Sequence, residues 1–219
     1  MRLVVTRPEP DGGRTARLLE ALGHSVILSP ALAIHPDPGV RLPVRRFQAV
    51  LVTSANAVRA LAARHDADFL KAVPLLAVGD QTAVEAKRSG FPAARSAGGS
   101  AEELIALAAG CLSPAGGPLF YAAGETTSTD LAGRLRALGF EVESRAVYRA
   151  DPEPRLAPAA AEAIAAGTVD GILFHSRRSA AAFALAARAA RLVPLPEAVA
   201  CYCLSERVAE PVRPIAAGP

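Results

Sequence analysis

A chain of 219 residues can fold as one large domain or as two small ones. Its hydrophobic content of 51% and mean hydropathy of +0.26 owe much to alanine, and no run of about 18 apolar residues occurs, which excludes a membrane-spanning helix. A net charge of +3 and a pI near 9.0 are mildly basic, but no lysine/arginine block or aromatic-interleaved basic stretch appears, so nucleic acid is not an expected partner.

The 24 basic residues include only two lysines, Lys71 and Lys87; the other 22 are arginine. A compositional bias that also raises alanine is one reading. Selection for carboxylate or phosphate binding, which favours the planar guanidinium fork, is the other. Cys111, Cys201 and Cys203 are odd in number, and the last two alternate within an apolar run, so they read as reduced core residues. His24, His35, His65 and His175 show no ligand spacing, and no metal site is expected. The segment from Met1 to Gly13 has an apolar stretch of only three residues and reads as a first strand, not a leader, which points to a cytoplasmic protein.

In chain order, Leu3 to Val5 is a short buried strand with Thr6-Arg7-Pro8 at its carboxyl end. Arg7 can pair with a ligand carboxylate there or brace its own loop. A helix follows from about Asp11 or Gly13 to Leu22, ended by Gly23, and Ser25 to Leu28 is a second strand. Ala31 to His35 is extended, and Pro36-Asp37-Pro38-Gly39 reads as a linker. Ala49 to Val52 is a continuous apolar run, the pattern of a strand buried on both faces. It stops at Thr53-Ser54-Ala55-Asn56, after which Ala57, Val58 and Leu61 resume at helical spacing to near His65. Ser54 or Asn56 caps that helix, so Thr53 and Ser54 lie where a strand's carboxyl end meets a helix N-terminus. Ligands of open parallel sheets bind at such places, and anions are favoured there.

Leu75 to Val78 is another buried strand, followed by Gly79-Asp80-Gln81-Thr82 and a helix to Ser89. Ala93 to Ser96 is a short strand, and Ser100 with Glu103 forms a capping box. Leu119 to Ala122 is a strand, 126–138 is loop and then helix, and Val142 to Arg149 is a strand running into Asp151-Pro152-Glu153-Pro154. A helix around Ala159 to Ala166, a strand Gly171 to Phe174, a helix Ser179 to Arg191, a strand Ala198 to Leu204 and a helix Glu206 to Val212 complete the alternation. Strands alternating with helices predict an α/β fold with parallel sheets.

The chain also repeats itself. Arg17 to Val26 aligns with Gly133 to Val142, Val50 to Leu61 with Ile172 to Phe183, and Ala77 to Ala83 with Cys203 to Ala209. The repeat and the two Pro-punctuated segments predict two similar domains, residues 1–35 plus 151–219 and residues 36–150. Two antiparallel linkers would join them across a cleft suited to a sizeable ligand.

Thr6-Arg7-Pro8, Val52 to Val58 (VTSANAV), Ala77 to Ala83 (AVGDQTA), the RALGFEV segment, Val147-Tyr148, ILFHS and CLSERVA, taken in order, resemble the uroporphyrinogen-III synthase family. The resemblance covers nearly the whole chain. It implies a monomer of two flavodoxin-like parallel-sheet domains joined by a two-stranded linker. It implies closure of hydroxymethylbilane into uroporphyrinogen III, with inversion of ring D and loss of water, and no cofactor or metal. Tyr148 matches the tyrosine that hydrogen-bonds the leaving hydroxyl, although a linker aromatic that packs would look the same. Thr82 matches a threonine that contacts substrate, or is a first-turn helix residue. The helix N-termini at Ser54–Asn56, Gly79–Thr82 and Ser176–Ser179 would receive the eight substrate carboxylates, and Arg7, Thr53, Ser54, Asn56, Gly79, Thr82, Ser176 and Arg177 are the expected binding residues.

Three departures stand beside the resemblance. His175-Ser176-Arg177-Arg178 replaces a threonine-serine-proline-serine pattern, Val208 stands at the repeat position of Thr82, and Arg213 to Pro219 is too short for a further strand and helix. Arg177 and Arg178 either supply charge to the ligand directly or form a solvated helix start. A non-catalytic two-domain clamp for a small anionic ligand is the alternative from another class, since no catalytic dyad excludes it. A nicotinamide enzyme lacks support because no G-x-G-x-x-G follows any strand.

Overall fold

The structure is a computed structural model that describes residues 1–127 and 129–217. Ser128, within the expected loop before the 131 helix, and the tail residues Gly218 and Pro219 lie outside the described residues. The strands are β1 (Arg2–Val5), β2 (Ser25–Leu28), β3 (Leu32–Pro36), β4 (Ala49–Val52), β5 (Leu75–Ala77), β6 (Ala94–Ser96), β7 (Leu119–Gly124), β8 (Val142–Pro152), β9 (Gly171–Phe174) and β10 (Ala200–Cys203). The helices are α1 (Asp11–Ala21), α2 (Ala55–Ala62), α3 (Asp80–Arg88), α4 (Ala101–Cys111), α5 (Leu131–Ala137), α6 (Pro158–Ala165), α7 (Arg177–Ala189) and α8 (Glu206–Ala209).

Contacts gather the chain into two compact units, one of Met1–Ile34 with the chain from Asp151 onward, the other of His35–Ala150. The first unit holds a sheet in the order β10-β9-β1-β2, parallel throughout. The second sheet runs β3-β8-β7-β4-β5-β6, and its strands from β8 to β6 are parallel. β3 runs antiparallel to β8: the Asp37 amide donates to the Val147 carbonyl (2.9 Å), and further along the Glu153 amide donates to the Ala31 carbonyl (3.0 Å).

The sequence repeat is visible as sheet order. The aligned segments equate β2 with β8, β9 with β4 and β10 with β5, and β1 and β7 correspond as the strands that precede the first aligned pair. With that exchange β10-β9-β1-β2 becomes β5-β4-β7-β8, the run found in the other sheet. Each unit is thus built on the same four-strand arrangement, entered at a different point of the chain.

β4 is organised as its composition requires. All four of its residues are fully buried because both faces are covered. Val50 and Val52 pack with Ala57, Val58 and Leu61 of α2 on one side, and Ala49 and Leu51 with Leu104 of α4 and Leu131 of α5 on the other. Ser54 is the N-cap of α2, its Oγ accepting from the Asn56 amide (3.1 Å). The capping box of α4 is present, the Glu103 amide donating to Ser100 Oγ and the Ser100 amide to Glu103 Oε2.

Several details differ from expectation. The helix after β4 ends at Ala62, and His65–Ala72 forms a separate 3-10 segment that tucks in Ala67 and Leu70. Its i,i+3 pair Asp68–Lys71 (2.6 Å) suits the tighter turn. α8 stops at Ala209 and not at Val212, because Pro211 has no N–H to continue the ladder. The cysteines are free but are not core residues: Cys111 is exposed at the end of α4, and Cys201 and Cys203 are half-buried. The two latter lie on β10, which ends its sheet among the described residues, so the strand is not enclosed as β4 is. No helix among the described residues is long and apolar enough to cross a membrane.

Candidate active site

In a parallel sheet, a crevice opens at the carboxyl ends where successive connections run to opposite sides. In the unit His35–Ala150 this reversal falls between β4 and β7, since α2 leads outward to β5 and α5 leads the other way to β8. Thr53 follows β4 at this point. Its Oγ1 lies 3.4 Å from the Tyr121 phenol oxygen on β7, a contact across the two strands that flank the reversal. Tyr121 is buried, and that burial, with a smaller contribution from Tyr148, pushes its phenol above the ordinary tyrosine range, while the bond to Thr53 acts the other way. Tyr121 is therefore a neutral hydroxyl at physiological pH.

The expected residues of this unit gather at the same carboxyl ends. Ser54 caps α2. The Asn56 side-chain oxygen accepts from Arg59 Nη2 (2.6 Å), and Arg59 in turn meets Glu85 of α3 at 3.3 Å, so Asn56 belongs to a network tying α2 to α3. Gly79 is the N-cap of α3, with no side-chain cap hydrogen bond. Thr82, one turn in, is 8% exposed, as is Val208 at the equivalent place in the repeat. The position is thus buried both as threonine and as valine, which suits a first-turn residue that packs.

Tyr148 is half-buried on β8 and packs on the cluster that holds Val52, Ala122 and Val147. It lines a cavity of about 110 Å³ with Asp37, Glu125, Ala146 and Arg149. Asp37, Glu125 and Arg149 thus set side chains of both charge signs around the tyrosine.

The other expected residues, Arg7, Ser176 and Arg177, belong to the other unit. There the reversal falls between β1 and β9, and Thr6 bridges it, its Oγ1 donating to the Leu173 carbonyl (2.7 Å). Arg7 faces its own loop, with Nη1 3.4 Å from Thr15 Oγ1 and Nη2 3.9 Å from Asp11. Ser176 caps α7, its Oγ accepting from the Ser179 amide (3.1 Å). Arg177 is exposed and its Nε meets Glu210 at 3.1 Å, so its charge is shared with a carboxylate.

Tyr121, Glu125 and His175 lie at these strand ends as further candidates that the sequence did not single out. A tyrosine inside the apolar run Leu119 to Ala123, one strand over from Thr53, was the available signal for Tyr121. His175 follows β9, and its Nδ1 is buried without a hydrogen-bond partner. Burial, and then the neighbouring Arg7 charge, lower its pKa to about 4, with Asp11 opposing. The folded protein thus binds fewer protons here than the unfolded chain between an ordinary histidine value near 6.5 and about 4. The His175 contribution to stability is accordingly flat above about pH 6.5 and is lost as the pH drops toward about 4. With the ring partly solvated, the loss is on the order of 1 kcal/mol. Denaturation midpoints at pH 7 and pH 4.5 should fall less for His175→Gln than for the wild type; equal falls would remove His175 from the account.

Among the described residues no group of three His, Cys, Asp or Glu side chains gathers to hold a metal. Burial pushes the Cys201 thiol up to about 11, so it is no thiolate at neutral pH. The chain is a parallel-sheet α/β protein whose strand ends carry helix starts, the Thr53 hydroxyl and the Tyr121 phenol. It belongs to the uroporphyrinogen-III synthase family: the family model described as "Uroporphyrinogen-III synthase HemD" matches residues 13–215. The family comprises hydro-lyases of tetrapyrrole synthesis.

Solved structures share the fold. A mutant uroporphyrinogen III synthase from the extremely thermophilic bacterium Thermus thermophilus is similar at 21% identity and a TM-score of 0.55, over 97% of this chain and 88% of that one. The uroporphyrinogen-III synthetase from Helicobacter pylori is similar at 17% identity and a TM-score of 0.62, over 96% and 87%. None of the curated proteins compared with this chain matches it.

Proposed function

We propose that this chain closes linear hydroxymethylbilane into uroporphyrinogen III, inverting ring D and releasing water, as a cytoplasmic monomer that needs no cofactor. The observation that carries the reading is the family match over residues 13–215, which spans both units. The chemistry asks for donors more than for a nucleophile. Hydroxide must leave a pyrrole-stabilised carbon, and the substituted carbon of ring D must then attack that carbon through a spiro intermediate. In this reading Tyr148 donates a hydrogen bond to the departing hydroxyl. The starts of α2, α3 and α7, at Ser54, Asn56, Gly79 and Ser176, receive substrate carboxylates with Thr53, Thr82, Arg7 and Arg177 around them.

The same reading takes residues 1–35 plus 151–219 and residues 36–150 as two flavodoxin-like domains, with β3 and β8 as the two-stranded linker. What supports this is sheet order. Numbered from β7, the strands β8-β7-β4-β5-β6 follow the order 2-1-3-4-5, and β2-β1-β9-β10 follows 2-1-3-4.

The test is an assay coupled to a hydroxymethylbilane source that scores the III against the I isomer of uroporphyrinogen. The III isomer should dominate with enzyme and the I isomer without it. An unchanged isomer ratio, with tight binding of uroporphyrinogen, would return the chain to the non-catalytic clamp.

A further inference from the structure

Parallel pairing between β7 and β8 holds residue for residue from Leu119↔Val142 to Ala123↔Ala146, and then skips one, so that Gly124 faces Tyr148. Val147 is the extra residue, a bulge in β8, and it is fully buried. Bulges bend a strand and re-aim the side chains that follow. Here the residue that follows is Tyr148. Beyond it the Glu125 amide donates to the Tyr148 carbonyl (2.9 Å), so the backbone is held on both sides of the re-aimed residue.

The phenol end of that side chain lies over Gly124. A Cβ added to Gly124 would stand 2.8 Å from Tyr148 Cζ, 2.9 Å from its hydroxyl oxygen and 3.2 Å from Cε1. The atoms that would be struck are the far end of a side chain and not backbone. Gly124 is not among the residues with positive φ, so alanine would fit its backbone without strain. The glycine is thus needed for the space it leaves, not for its conformational freedom.

We infer that Gly124 is a positioning residue for the reaction: with the Val147 bulge it seats the Tyr148 hydroxyl at the 110 Å³ cavity bounded by Asp37, Glu125 and Arg149. The inference rests on the reading that Tyr148 donates to the leaving hydroxyl. Adding one methyl group moves the phenol away while leaving the strand in place. A misplacement of about 1 Å in a catalytic group can cost on the order of 10²-fold.

Gly124→Ala, Tyr148→Phe and the double variant should be compared by kcat, KM, isomer ratio and Tm. The expected result is that Gly124→Ala lowers kcat for the III isomer about as far as Tyr148→Phe does, with KM little changed. The double variant should be no worse than either single one, since both remove the same hydrogen bond. Normal kcat in Tyr148→Phe would overturn the reading beneath. Reduced kcat in Tyr148→Phe with normal kcat in Gly124→Ala, or losses that multiply, would overturn the role of Gly124 alone. Should Gly124→Ala lower Tm, it is repeated in a Tyr148→Ala background, where the ring is gone. The Tm loss should then disappear, and a loss that persists would place the clash elsewhere and overturn the assignment.

Discussion

Tyr148→Phe is expected to lower the rate of III-isomer formation by about 10²-fold, the low end of what a single proton donor contributes, or about 2.7 kcal/mol of barrier. Phenylalanine preserves the ring that packs on Val52, Ala122 and Val147 and lies over Gly124, so folding and product binding should change little. The low end is appropriate because the hydroxyl leaves from a pyrrole-stabilised carbon that needs little help to ionise. The substrate also closes by itself in water to the unrotated isomer, so the enzyme's task is steering as much as acceleration. The isomer ratio is therefore the second readout, and it should shift toward the I isomer. A rate within about twofold of wild type would make Tyr148 a packing residue, and donors on the strand ends would then carry the chemistry. Tyr121 would be the first of these to examine. It is a protonated phenol joined to Thr53, and it lies on the sheet face that holds Ala49 and Leu51, away from the Tyr148 packing cluster.

What could be read in the chain, and what could not, divides along physical lines. Strand β4 was legible because a strand enclosed on both faces must be apolar at every position, and Ala49 to Val52 is. Ser54, Ser100 and Glu103 were legible because capping is a contact between residues two or three apart. The repeat survived because equivalent strands occupy equivalent places in the two sheets. Burial at a sheet edge was not legible: Cys201 and Cys203 sit in a run as apolar as that of β4, and only the neighbour order distinguishes them. Register was not legible either. The bulge at Val147 depends on how β8 meets β7, so nothing local to Val147-Tyr148 announces that the phenol will lie over Gly124. The same limit hid Tyr121, whose hydroxyl matters only because β7 lies beside β4. For Arg7 and Arg177 the sequence left two roles each, and the observed partners, Asp11, Thr15 and Glu210, favour bracing over free charge.

Phe183→Ala should lower stability by about 3–5 kcal/mol. Phe183 of α7 is fully buried and meets Phe174 of β9 edge to face, with ring centroids 5.2 Å apart and planes at 72°. Truncation removes the transfer energy of the ring and leaves a cavity under a four-stranded sheet. It also removes an aromatic pair worth about 0.5–1.5 kcal/mol beyond its buried area. A domain's whole stability is about 5–15 kcal/mol, so the loss takes a large share of what holds this unit together. Because the chain forms two compact units, the damage should be local. Amide exchange should accelerate in β1, β9 and β10, which share the sheet over which Phe183 packs, while β4, β5 and β7 keep their protection. Ser176, the N-cap of α7, and His175 before it would lose their support before Thr53 and Tyr148 are affected. Synthase activity would then fall with temperature along the melting curve of the first unit, a curve that Tyr148→Phe should not move. Equal acceleration in both sheets would mean that the chain unfolds as one cooperative body, and the division into separately stable units would have to be given up.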